Sequence, residues 1–166
     1  YSLDMPQKSF KIRAKAKYGN KYFEAALFED RPFTQYKSFV LRISGNDSAW
    51  TRLIDGFQDR LITAFNEQAD KPSTLIYQAW KPVAVYLNGV YWGHYNMRER
   101  AGVKTVALHE GWENPDDIDM LESDGLSSKQ INQGQRHDYQ KLYDYVKEHD
   151  LVNDRTAYEY VISQID

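Results

Sequence analysis

A few charged and polar residues in this chain stand where binding chemistry would need them. Residues 86–100 read YLNGVYWGHYNMRER, an aromatic segment that ends abruptly on Arg98, Glu99 and Arg100. A carboxylate flanked by two guanidinium groups stays ionised in a buried setting, where it can orient a ligand, a metal or a phosphate-binding arginine. The same trio also suits a purely structural ion-pair cluster. Period-two alternation along a strand would point Arg98 and Arg100 to one face and Glu99 to the other, so the three cannot all contact one ligand from the same side.

Lys11 lies among Lys11, Arg13 and Lys15, alternating with Phe10, Ile12, Ala14 and Ala16. A lysine projecting from a strand suits the α- and β-phosphates of a nucleotide, and the plain alternative is a solvated basic face. Lys8 competes with Lys11 for that role. Arg42 sits in the apolar run FVLRIS, where a guanidinium needs a partner: Asp47, Asp55 or Glu99 as a salt bridge, or a phosphate. Asn46 and Asp47 in SGND offer a polar turn to a ligand, while Asp47 serves equally as a helix N-cap. Tyr86, Tyr91, Trp92 and Tyr95 could stack on sugars or bury alternate rings in a core. His94, His109, His137 and His149 share no metal-ligand spacing. Asp116, Asp117 and Asp119 lack the glycine and terminal glutamate of a calcium loop, so caps explain them better.

These residues need elements to hold them. Residues 9–16 and 37–43 alternate as strands, and residues 82–87 and 90–97 flank Asn88-Gly89, the pair that supplies both positive-φ positions of a type I′ hairpin turn. From 49 to 66 the residues Trp50, Leu53, Ile54, Phe57, Leu61, Ala64 and Phe65 recur at three and four, which predicts one long helix. Residues 75–80 suit a short strand. Beyond the hairpin an acidic, turn-rich connection carries a short strand at 118–121, and two amphipathic helices follow at 136–149 and after a cap at Asn153 or Asp154. The order is α+β: a β-rich region over 1–100 with its one helix, then an acidic connection and helices over 101–166.

The chain has 166 residues, no cysteine and a net charge of −3 with both signs interspersed. Disulfides and thiolate metal sites are excluded, no basic face advertises nucleic acid, and no apolar run is long enough to span a bilayer. Tyr1 at the start and an amphipathic pattern still running at Asp166 lead us to expect a piece of a longer chain.

The blocks QKSFKI, YKSFVLRISGND, PVAVYLNGVYWGHYNMRER and NPDDIDMLESDG resemble, in order and spacing, the spore-coat protein H (CotH) kinase-like family from about Lys8 onward. The resemblance implies an atypical protein-kinase-like fold, with an antiparallel small-lobe sheet carrying one long helix, a hinge near RER and the start of a helical lobe. It implies phosphate transfer from ATP to protein with Mg or Mn, in secreted or surface-associated proteins that include spore coats. Carried over residue by residue, it points to Lys11, Arg42, Asn46, Asp55, Arg98 and Glu99 as nucleotide-binding. At the family's Arg-Asp pair the chain has Ile54-Asp55, with Arg52 half a turn away. The family's later block, an Asn and Asp cluster followed by a metal-binding Asp, would begin where this chain stops. The expectation is therefore a piece that carries no catalytic residue and is inactive alone. The competing expectation is a carbohydrate- or protein-binding surface module on the same scaffold.

Overall fold

The computed structural model describes residues 5–71, 74–122 and 130–165, and the side chains of Asn46 and Asp55 lie outside the described set. The chain divides into two compact units, Tyr1–Ala101 and Gly102–Asp166. It is a mixed α+β protein with an antiparallel sheet and four helices among the described residues.

In the first unit the strands are β1 (Phe10–Arg13), β2 (Phe23–Glu24), β3 (Gln35–Tyr36) and β4 (Ser38–Arg42), followed by helix α1 (Ile54–Gln68), β5 (Trp80–Leu87) and β6 (Val90–Glu99). Four of them form one antiparallel sheet in the order β1-β4-β6-β5, and β2 pairs with β3 separately. The β5–β6 hairpin turns on Asn88 at φ 50° and Gly89 at φ 81°, as a type I′ turn requires. Residues 75–79 are not a strand, and β5 begins only at Trp80.

Register decides which side chains share a face. Phe39, Leu41, Tyr95, Met97 and Glu99 lie on one side with Phe10 and Ile12; Lys11, Val40, Arg98 and Trp80 align in a row on the other. The first side carries the core, where Phe28, Tyr36, Leu41, Ile43, Ala79, Tyr95 and Met97 are buried together. Tyr95 is fully buried, and its hydroxyl donates to the Lys8 carbonyl at 2.9 Å.

Helix α1 starts five residues later than the apolar periodicity predicts. Asp47 is the cause: its carboxylate accepts from Thr51 N at 3.1 Å, Thr51 Oγ1 at 2.8 Å and Ile54 N at 3.1 Å. Residues 45–52 are thereby wound into turns, with Arg52 at φ 60°, and the cap for α1 comes from seven residues upstream. The orientation of the helix is also unexpected. Gly56, Asp59 and Thr63 face the sheet, whereas Ile54, Phe57, Leu61 and Phe65, the apolar stripe that gave the helix away, are exposed.

The second unit contains α2 (Val103–Glu110), β7 (Met120–Glu122), β8 (Gln130–Gln133), α3 (His137–Glu148) and α4 (Arg155–Gln164). Helix α2 ends at Gly111 in the left-handed region, the usual reason for glycine after a helix. Sequence periodicity missed both α2 and β8. Strand β7 falls two residues later than 118–121. Asp154 caps α4 by accepting from Ala157 N at 3.1 Å, and Tyr145 of α3 packs on Tyr160 of α4 with ring centres 4.4 Å apart. No described helix is long and apolar enough to cross a membrane.

Candidate functional site

The end of β6 sorts its charges as alternation requires. Glu99 enters the core face and is 2% exposed. Its carboxylate accepts from Arg31 Nε at 3.1 Å and from Ala79 N at 2.8 Å, and its carbonyl accepts from Gln78 Nε2 at 2.6 Å. Arg31 in turn donates to the Tyr77 carbonyl at 2.8 Å and lies 4.6 Å over the Tyr77 ring. Glu99 is thus paired with Arg31, from the irregular segment after Phe28. Tyr36 feels the same charges: burial, then Glu99, pushes its phenol up to about 12.

Arg98 goes to the opposite face, where its guanidinium donates to the Asp59 carboxylate of α1. The helix can come this close because position 56 is glycine; a Cβ there would overlap the Trp80 indole ring. Thr63 Oγ1 donates to Tyr77 OH at 2.9 Å and fixes the next turn. A strand arginine tied to a helix carboxylate holds a cation in place at low entropic cost.

Lys11 is exposed on the Arg98 face. Its ammonium is held below the usual lysine value, first by the Arg100 guanidinium, then by burial and by Arg13. Two like charges that near each other are relieved by an anion. Arg42 shares this face and is exposed at the end of β4, because alternation turns Val40 and Arg42 away from Phe39 and Leu41. Asp47 is committed to capping α1. Of the six residues singled out, Lys11, Arg42 and Arg98 share one face, Glu99 lies on the other, and the side chains of Asn46 and Asp55 lie outside the described residues.

Two participants escaped the sequence. Arg31, in EDRPF, carries no periodic signal at all. Asp59 had one: it lies three residues from Gly56 and four from Thr63 on a helix, and glycine inside a helix marks close approach by a neighbour. Between α1 and the β5 edge runs a cleft of about 240 Å³ lined in part by Asp30, Asp59, Thr63, Tyr77 and Trp80. That is smaller than the roughly 300–1,000 Å³ of a typical ligand pocket. Among the described residues no three His, Asp or Glu side chains come together as a metal site.

Neither the curated proteins nor the solved structures contain a match to this chain. A family model does match, the one described as CotH kinase protein, and it covers residues 1–166. An antiparallel sheet with a single helix tied to its last strand is in keeping with a kinase-like protein, and the chain belongs to the CotH kinase family.

Proposed function

We propose that this chain forms the nucleotide-binding part of an atypical protein kinase, with the exposed Lys11 and Arg100 facing the phosphates of ATP and Arg98, buried against Asp59, holding the sheet beneath them. The observation that carries the reading is the closeness of two exposed cations, Lys11 and Arg100, at the end of the sheet face on which Arg98 is anchored to Asp59. Phosphoryl transfer asks a protein mainly for positioning and for charge aimed at the transferred group, which such a face would supply. Glu99 then acts from the far side, holding the end of β6 rather than touching the nucleotide. Arg42 stands at the rim. The cation cluster fits polyphosphate; the described residues present no carboxylate set for Mg or Mn, so no step is assigned to a metal ion. The reading includes a protein phosphoacceptor and a secreted or surface location, both resting on family resemblance.

A thermal-shift titration of the 166-residue chain with ATP, with and without Mg or Mn, tests it. A ligand at a hundred times its dissociation constant stabilises by about 2.7 kcal/mol. The expected result is a rise in Tm that Lys11→Ala and Arg100→Ala each remove; no shift in the unsubstituted chain rejects the reading.

One observation favours a second reading. Tyr86, Tyr91 and Trp92 at the tip of the hairpin are all more than half exposed, with Tyr86 and Tyr91 edge to face at 5.5 Å. Such a platform suits sugar stacking. Glycan binding lost in Trp92→Ala and kept in Lys11→Ala would select it; Trp112, 54% exposed in the second unit, is the control.

A further inference from the structure

Among the described residues, strand β1 is the outer strand of its sheet, paired with β4 on one side only. The hydrogen bond from Ala14 N to Lys37 O fixes which residues bond inward. Phe10, Ile12 and Ala14 turn their main-chain groups toward β4, so Lys11 and Arg13 turn theirs outward along an open edge. The side chains follow the other rule: Lys11 and Arg13 stand on one face of that edge and Phe10 and Ile12 on the opposite one.

The edge is also the basic part of an acidic chain. Residues 5–23 contain Lys8, Lys11, Arg13, Lys15, Lys17 and Lys21 and no Asp or Glu, although the whole chain carries a net charge of −3. Lys11, Arg13, Lys15, Lys17 and Lys21 are exposed, and among the described residues none of these five makes an ion pair. Lysines on an edge strand ordinarily deter pairing with another apolar or basic strand. Toward an acidic strand the same charges attract.

We infer that β1 is a docking edge for an extended peptide of a protein partner, in which carboxylates alternate with apolar side chains. Added as a fifth strand, such a peptide would exchange main-chain hydrogen bonds with Lys11 and Arg13. Its carboxylates would lie beside the Lys11 and Arg13 side chains, and its apolar residues would extend the face of Phe10 and Ile12. Period two in the peptide is demanded by period two in β1, which is what distinguishes this partner from a merely acidic one. The inference goes beyond the nucleotide reading; both draw on Lys11, and only the peptide draws on Arg13 and the main chain of β1.

The test is fluorescence anisotropy of the 166-residue chain, without nucleotide, against three labelled nine-residue peptides: alternating Glu and Val, alternating Lys and Val, and the Glu-Val peptide N-methylated at every second residue. Binding of the first at low salt is expected, with at least tenfold weaker binding of the other two. Arg13→Glu combined with Lys15→Glu, checked for an unchanged Tm, should reverse the preference between the Glu and Lys peptides. Equal binding of the N-methylated peptide overturns the inference, because it would leave charge attraction without an added strand. Absence of binding at low salt overturns it as well, and so does tighter binding of an oligothymidine than of the Glu-Val peptide.

Discussion

Arg31 Nε and Glu99 Oε2 are 68 residues apart in the chain and 3.1 Å apart in the fold, with side chains 7% and 2% exposed. Neither lies in a place that solvates a lone charge. Removing one partner of such a pair costs about 3–5 kcal/mol, most of it the desolvation of the charge left behind. Arg31→Ala should therefore destabilise the first unit by that amount in urea titration. Arg31→Ala with Glu99→Gln should recover a large part of it, because a neutral amide still accepts from Ala79 N. Equal losses in the single and double variants would show that packing of the arginine, and not charge, is what matters.

Tyr36 presents the opposite case, a buried hydroxyl with no hydrogen-bond partner among the described residues. Its ionisation is raised from 10.0 to about 12 by burial and by Glu99. A group whose folded pKa is raised contributes stability below its unfolded pKa and loses it as pH rises through the folded value, so stability should fall between pH 10 and about 12. Tyr36→Phe should abolish that slope. At pH 7 the substitution is expected to be neutral, or stabilising by up to about 1 kcal/mol, since an unsatisfied polar atom is removed. Thermal melts across alkaline pH check both parts.

Asp47 titrates in the other direction. Burial pushes its carboxyl up, but hydrogen bonds from Ile54 N, the Thr51 hydroxyl and Thr51 N outweigh it and hold the group below the usual carboxylate range. Its contribution is present above the unfolded value of about 4 and disappears as pH falls through the folded one. Asp47→Asn should lower Tm at pH 7, and the gap from the parent chain should close progressively in melts below about pH 4.

Gly56 and Trp80 form a contact with no room for a methyl group. Alanine is favoured over glycine inside a helix by about 1 kcal/mol, yet Gly56→Ala should be destabilising by about 1–3 kcal/mol through overpacking. A double-mutant cycle with Trp80→Leu should show strong coupling, and additivity would place the helix elsewhere. The displaced helix would also carry Asp59 off Arg98, so Gly56→Ala should weaken nucleotide binding if the proposed site is right.

Much of the first unit can be read from local signals. The Asn88-Gly89 pair dictates a turn that only two positive-φ residues satisfy, and alternation along the following strand separates Glu99 from Arg98 and Arg100 without any knowledge of the fold. Tertiary context governs the remainder. Apolar periodicity identifies α1 as a helix, but which side meets the sheet is settled by Gly56 and Asp59, two residues that periodicity ignores. Arg31 sits in an irregular segment whose geometry comes from its long-range contacts, so its pairing with Glu99 could not be foreseen. The first turn expected of α1 was lost because the Asp47 carboxylate accepts three hydrogen bonds at once, two from Thr51 and one from Ile54.

Strand β6 has a neighbour on each side over its last residues: Asn96, Met97 and Arg98 lie opposite β4 and also opposite Pro82, Lys81 and Trp80 of β5. The chain leaves the sheet immediately after Glu99. Tension applied to the polypeptide from beyond that point and directed along β6 would load both ladders in shear, so their bonds resist together instead of parting one by one. The Arg31–Glu99 pair and the paired backbone of Ala79 stand at the loaded end. Under such a pull the end of β6 is where the first unit would resist most.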